Sequence, residues 1–140
     1  MAIPQIVRVN PLDLQKNIAI GVALPFGASG TDKLFNQTFS TKDQIKSNLI
    51  NLLLTNRGER ILNPNFGSDL KRILFEPITP TIEDNIRDTI NTSASIYIPE
   101  ITINEIIIDT GFSDNNQIII TINYILNISG TADQVTIQFQ

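Results

Sequence analysis

Apolar residues recur along this chain in two rhythms, a helical one through the middle and a two-residue one towards the C-terminus. In STKDQIKSNLINLLLT, Ile45, Leu49, Leu52 and Leu53 fall at i, i+4, i+7 and i+8, one face of a 3.6-residue period. Ile50 and Leu54 widen that stripe, which places the helix at the centre of the core. Ser40 or Thr41 can supply the N-cap, and Thr41 with Gln44 three residues later makes a capping box. In SDLKRILF, Ser68 is the expected N-cap of a short second helix. Asp69 favours its N-terminus and Lys71 and Arg72 follow, with Leu70, Ile73 and Leu74 facing inward. EPITPTIEDNIRDTINTSAS predicts a third helix from Thr79, with Pro80 at its first position. Its apolar stripe is narrow, Ile82, Ile86 and Ile90, with Glu83, Asp84 and Asp88 off it. Such a helix covers a sheet.

The two-residue rhythm supplies that sheet. In QIIITINYILNIS the positions Ile118, Ile120, Ile122, Tyr124, Leu126 and Ile128 are all apolar, while Thr121, Asn123 and Asn127 lie between them. VTIQFQ alternates through Val135, Ile137 and Phe139. EITINEIIIDT holds Ile101 and Ile103 in one phase and Ile106 and Ile108 in the other, which predicts a bulge near Asn104–Glu105. GFSDNNQ and SGTADQ read as the hairpin loops. The expected fold class is α+β, a three-stranded antiparallel sheet with helices packed on one face, plus an N-terminal extension. The middle strand, about 12 residues by its pattern, could reach ~40 Å. The last strand carries no Pro and no Lys to guard an edge, so it invites an added strand from another chain, unless residues 18–24 of the same chain cover it.

Residues 1–39 read as that extension and 40–140 as the compact domain. Pro4 and Pro11 break helix in IPQIVRVNPLDLQ, where Ile6 and Val7 can extend. Ile18–Leu24 predicts a strand with Ile18, Ile20, Val22 and Leu24 on one face. Ala19, Gly21 and Ala23 on the other would let a second backbone approach closely. PFGASGTDK follows as a loop.

Composition narrows the function classes. The 140 residues are 41% hydrophobic and include neither Cys nor His, so the chain folds as one domain around one core. Disulfides, cysteine nucleophiles, Cys/His zinc sites and histidine-based triads are excluded. No apolar run approaches the roughly 18–20 residues that span a bilayer. Residues 1–72 hold nine Lys/Arg against five acids, whereas residues 73–140 hold Arg87 alone against nine. A split of +4 and −8 suits a protein docked between partners of different charge. The basic half lacks interleaved aromatics and a dense Lys/Arg run, which argues against nucleic acid.

Between the first two helices lies NRGERILNPNFGS, dense in turn formers and arginine. From the residues alone it is a polar connector or a shaped loop that a partner binds. The order LLLT, GER, NPNFGSDL, LFEPITP, acidic helix and Ile-rich sheet, over about 100 residues, resembles the small baseplate wedge protein of contractile phage tails. This is the sheath-initiator family, with relatives in type VI secretion baseplates and contractile injection systems. The openings VNPLDLQ and TKD are similar too.

The resemblance implies a structural protein of the virion tail baseplate, assembled in the host cytoplasm in multiple copies. Its partners would be the tail sheath protein and other wedge subunits, with no cofactor, no metal, no nucleic acid and no membrane. The sheet would template the first sheath ring by strand exchange. Gly58, Pro64 and Gly67 would then shape a rigid loop that buries Phe66, with Arg57 and Arg60 either stapling it internally or meeting a wedge neighbour. Many members carry Glu-Pro-Arg after the third helix. Here YIPEI keeps Pro99 but places Ile98 and Glu100 at the flanking positions, so this contact must be made differently or with a partner of compensating charge. The candidate partner-binding residues are Arg57, Arg60, Pro99, Glu100, Val135, Ile137 and Phe139.

Members of this family have been labelled lysozyme-like. Glycoside hydrolysis needs two carboxylates flanking a cleft, about 5–5.5 Å apart or about 6.5–9.5 Å apart according to mechanism. Glu59 beside Phe66 and Glu76 after Phe75 have no carboxylate partner at short helical spacing. The chain also has no Trp and two Tyr, few platforms for stacking sugars. A scaffold is expected rather than an enzyme, with a lysozyme-like hydrolase and a generic strand-augmenting adaptor as the alternatives.

Overall fold

The computed structural model describes residues 10–15, 17–24, 37–77, 79–109 and 117–139. Among the described residues a 3-10 helix (Pro11–Leu14) and three α-helices, α1 (Thr41–Leu54), α2 (Leu70–Leu74) and α3 (Ile82–Tyr97), precede an antiparallel meander of β3 (Ile101–Asp109), β4 (Ile118–Leu126) and β5 (Ala132–Phe139). A separate two-stranded ladder joins β1 (Gly21–Val22) to β2 (Gln37–Thr38). The expected α+β class is the observed one. The hairpin loop expected at GFSDNNQ and the extended Ile6–Val7 lie outside the described residues, apart from Gln117.

Period explains the core. Leu49, Leu52 and Leu53 of α1 and Ile90 of α3 are fully buried, and they pack in one cluster with Ile120, Ile122 and Tyr124 of β4 and Val135 of β5. Burying each of these side chains is worth about 1.5–3 kcal/mol. Leu54, expected to widen the stripe, is instead 37% exposed. Ile122 of β4 pairs with Ile106 and Val135, so the core-facing rows of the three strands align. The register slips between Ile103 and Glu105, the expected bulge, and this lets both isoleucine phases of β3 face the helices.

Several local expectations give way to competing bonds. Ser40 caps α1, its Oγ accepting from the Asp43 N–H at 3.2 Å. The Thr41–Gln44 capping box does not form. Thr41 instead donates from both its N–H and its hydroxyl to Asp13 Oδ1, at 2.7 and 2.8 Å, and Gln44 accepts from Thr38 Oγ1. Ser68 does not cap α2 either. It is fully buried and its hydroxyl donates to the Leu53 carbonyl, leaving Asp69 at the cap position. The third helix starts at Ile82, after a turn in which the Ile82 N–H bonds the Thr79 carbonyl, so Pro80 precedes the helix.

The strand expected over Ile18–Leu24 shrinks to β1. Ile18 and Val22 are 48% and 43% exposed, so the segment adds no apolar face to the main sheet. It is tied by polar bonds, Ile20 N–H to the Thr38 carbonyl and Leu24 N–H to Ser47 Oγ. The expectation of a second backbone close to its small residues is not met at Gly21, where the near neighbour is the Gln44 side chain, with Oε1 2.0 Å from where a Cβ would sit. The middle strand is nine residues, about 30 Å. It ends at Leu126 because a turn through Gly130, at φ 67°, closes the hairpin with Gly130 N–H on the Leu126 carbonyl. Ile128 thereby leaves the alternation and is 43% exposed.

Among the described residues one buried hydroxyl is left over. Ser93 lies fully buried on α3, and its Oγ has no hydrogen-bond partner. An unsatisfied buried hydroxyl costs about 1–3 kcal/mol. Ser93→Ala should therefore raise the unfolding free energy by about 1 kcal/mol in urea titration; a loss of stability would mean the hydroxyl is satisfied in solution.

Candidate interaction site

The segment between α1 and α2 is folded on itself. Gly58 N–H bonds the Pro64 carbonyl at 2.8 Å, Phe66 N–H the Asn63 carbonyl at 3.1 Å and Ser68 N–H the Thr55 carbonyl at 2.9 Å. Glu59 commits both carboxylate oxygens to Asn56, accepting from its N–H at 3.0 Å and its Nδ2 at 2.7 Å. Gly58 and Gly67 hold φ of 89° and 127°, a region that side chains disfavour. At Gly67 a Cβ would also meet the Thr55 carbonyl oxygen at 2.6 Å.

The arginines are engaged within the chain. Arg57 reaches Asp69 at 3.7 Å, and Arg72 reaches the same carboxylate oxygen at 4.0 Å. The Arg60 guanidinium lies 3.9 Å over the Phe66 ring, a cation–π contact worth about 0.5–1 kcal/mol where exposed. Phe66, half-buried, meets Tyr97 edge-on at 5.2 Å, and the Tyr97 hydroxyl donates to the Asn65 carbonyl. The end of α3 therefore clamps the loop.

Pro99 and Glu100 lie just beyond Tyr97, in the turn into β3. Both act there through backbone carbonyls, Glu100 accepting from Asn127 N–H at 2.9 Å and Pro99 from Asn127 Nδ2 at 3.1 Å. Val135 and Ile137 are buried under the helices and Phe139 is half-buried, so their side chains belong to the core. The candidate residues thus occupy three places, the loop, the α3–β3 turn and β5.

The sheet's two edges differ. On β3 the bulge breaks the register and Arg87 of α3 donates to the Ile106 carbonyl at 2.5 Å. On β5 the register runs unbroken from Ala132 to Phe139. The hairpin is closed by Leu126 N–H on the Thr131 carbonyl. Counting in twos from that pair, the backbone groups of Asp133, Val135 and Ile137 face β4 while those of Gln134, Thr136 and Gln138 face outward. Gln134 agrees, since its N–H bonds the Asp133 carboxylate at 2.9 Å. Among the described residues no strand pairs with this edge.

Tyr124 packs under the same sheet, fully buried, with its hydroxyl 3.3 Å from Asp133 Oδ2. Burial, and then the Asp133 charge, push its phenol well above the usual tyrosine range. Lys42 approaches the same carboxylate at 3.9 Å and ties α1 to β5.

Residues 40–131 match the family described as baseplate wedge protein gp25. The chain belongs to the gp25 baseplate wedge family. The family is named for a phage baseplate wedge protein. Baseplate wedge protein gp25 of Enterobacteria phage T4 is 37% identical over 57 residues, 41% of this chain and 43% of that protein, so the aligned part spans less than half of that relative. Two solved structures share the fold. A Geobacter sulfurreducens protein called a tail lysozyme aligns with TM-score 0.66 at 22% identity, over 71% of this chain and 90% of its own. A chain of the anti-feeding prophage baseplate aligns with TM-score 0.53 at 21% identity, over 84% and 81%.

What sequence reasoning missed is the tip of the loop. Ile61 and Leu62 are 95% and 99% exposed. The available signal was an adjacent aliphatic pair inside a turn-rich stretch, with no helical or strand period to bury it.

The two loop glycines give a graded test. Gly58→Ala meets an unfavourable φ alone, about 1–2 kcal/mol, whereas Gly67→Ala also drives a methyl into the Thr55 carbonyl. Gly67→Ala should be the more destabilising by 1 kcal/mol or more, roughly, in denaturant titration; equal costs would contradict the packing seen at Gly67.

Proposed function

We propose that this chain joins the baseplate wedge to the tail sheath and starts sheath assembly by accepting a strand at β5. The observation that carries this reading is the asymmetry of the sheet, one edge irregular and held by Arg87, the other regular and facing outward. A regular edge with outward N–H and C=O groups is the template that strand addition needs. Val135, Ile137 and Phe139 serve by holding β5 against the core, and Gln134, Thr136 and Gln138 present the backbone. Residues 1–39 act as a partner-binding extension, and Pro99 and Glu100 mark a wedge-facing turn beside the loop.

The role is structural rather than hydrolytic. Glu59 is occupied by Asn56, and Glu76 lies exposed in the turn after α2, not in the apolar pocket that raises a general acid's pKa. The fold shared with a protein called a tail lysozyme carries no activity across at 22% identity.

Removing β5 would expose the core, so the edge is better tested by one substitution. Thr136→Pro deletes an outward N–H and leaves the backbone bonds to β4 in place, losing only the exposed hydroxyl contact with Thr121 at 3.2 Å. The wild-type chain should co-sediment with the sheath protein encoded near it, and Thr136→Pro should lower that binding at least tenfold with its unfolding midpoint nearly unchanged. Absence of wild-type binding, or equal binding by the variant, would refute the strand-acceptor role.

A further inference from the structure

The Ile61–Leu62 tip combines near-complete exposure with an anchored base. Two adjacent aliphatic side chains at 95% and 99% exposure keep their full hydration cost. The segment beneath them is fixed by the Gly58–Pro64 and Asn63–Phe66 backbone bonds, the Arg60–Phe66 stack and the Tyr97 hydroxyl. A support fixed in advance lowers the ordering cost of docking.

Charge identifies the surface that the tip fits. Residues 57–72 carry Arg57, Arg60, Lys71 and Arg72 against Glu59 and Asp69, a balance of +2 in a chain of net −4. Both carboxylates are committed, Glu59 to Asn56 and Asp69 to Arg57 and Arg72 together. Arg72 has its side chain 76% exposed and Arg57 45%. The segment that carries the tip is therefore positive on balance. A balance of +2 is small beside the polybasic clusters that hold proteins on anionic lipid, whereas a rigid two-residue knob on a segment of positive balance matches a shaped protein pocket.

We infer that Ile61 and Leu62 form a knob that enters an apolar pocket rimmed by carboxylates on another baseplate wedge subunit. The inference rests on the baseplate reading but not on β5, which lies on a different element.

The test is association of the full chain with the wedge proteins encoded beside it, measured by titration calorimetry at low and high NaCl. The double variant Ile61→Ser with Leu62→Ser alters only exposed side chains, and its fold is checked by circular dichroism. Wedge binding should weaken at least tenfold while sheath co-sedimentation is unchanged, and wild-type wedge binding should weaken as NaCl rises. Wild-type affinity in the double variant overturns the inference. So does flotation of the wild-type chain, but not the variant, with phosphatidylglycerol vesicles, which would assign the tip to a lipid surface. Loss of wedge binding in a chain that never binds sheath would uphold the knob and reject the strand-acceptor role.

Discussion

A three-stranded sheet covered on one face must satisfy its side chains and its backbone in different directions. Strand period sends Val135 and Ile137 into the core and leaves their own N–H and C=O groups bonded to β4. The same period turns the backbone of the intervening residues outward. The apolar alternation that secures β5 is thus inseparable from the open row of donors and acceptors beside it. β3 escapes this consequence through its bulge and through Arg87, two devices that blunt an edge. The chain holds both arrangements in one sheet, one edge blunted and the other regular.

The loop shows the same division between what is secured and what is offered. Its base is tied to the ends of α1 and α3, Ser68 to Leu53 and Asn65 to Tyr97, so it moves with the core. Gly67 permits the passage because any Cβ there would strike the Thr55 carbonyl. Phe66 then lies between a cation and a ring edge, half-buried, filling the base of the loop. The aliphatic pair at the tip stays outside that base.

Period made the helices and the sheet legible in the sequence. Ile82, Ile86 and Ile90 could serve only one helix face, and all three are buried; the two phases of β3 could be reconciled only by a bulge. Capping was less legible, because several polar side chains compete for each helix end. Thr41 prefers Asp13, which is distant in sequence, and Ser68 prefers the Leu53 carbonyl. The strand at residues 18–24 misled for a related reason: alternation of large and small residues does not reveal that the available partner is the short β2. In the candidate site the glycines and the loop's rigidity could be read, and internal engagement of the arginines was one of two open readings. The exposed tip could not be read, since burial depends on what the rest of the chain places over it.

The turn after α3 shows how a family position can change its side chain and keep its place. Where the family resemblance implies Glu-Pro-Arg, this chain carries Ile98, Pro99 and Glu100. Ile98 is buried in the core, where a Glu would need a partner for its charge. Pro99 and Glu100 hold Asn127 through carbonyl oxygens, which any residue supplies. The geometry joining β3 to the β4–β5 hairpin is therefore independent of the Arg-to-Glu change.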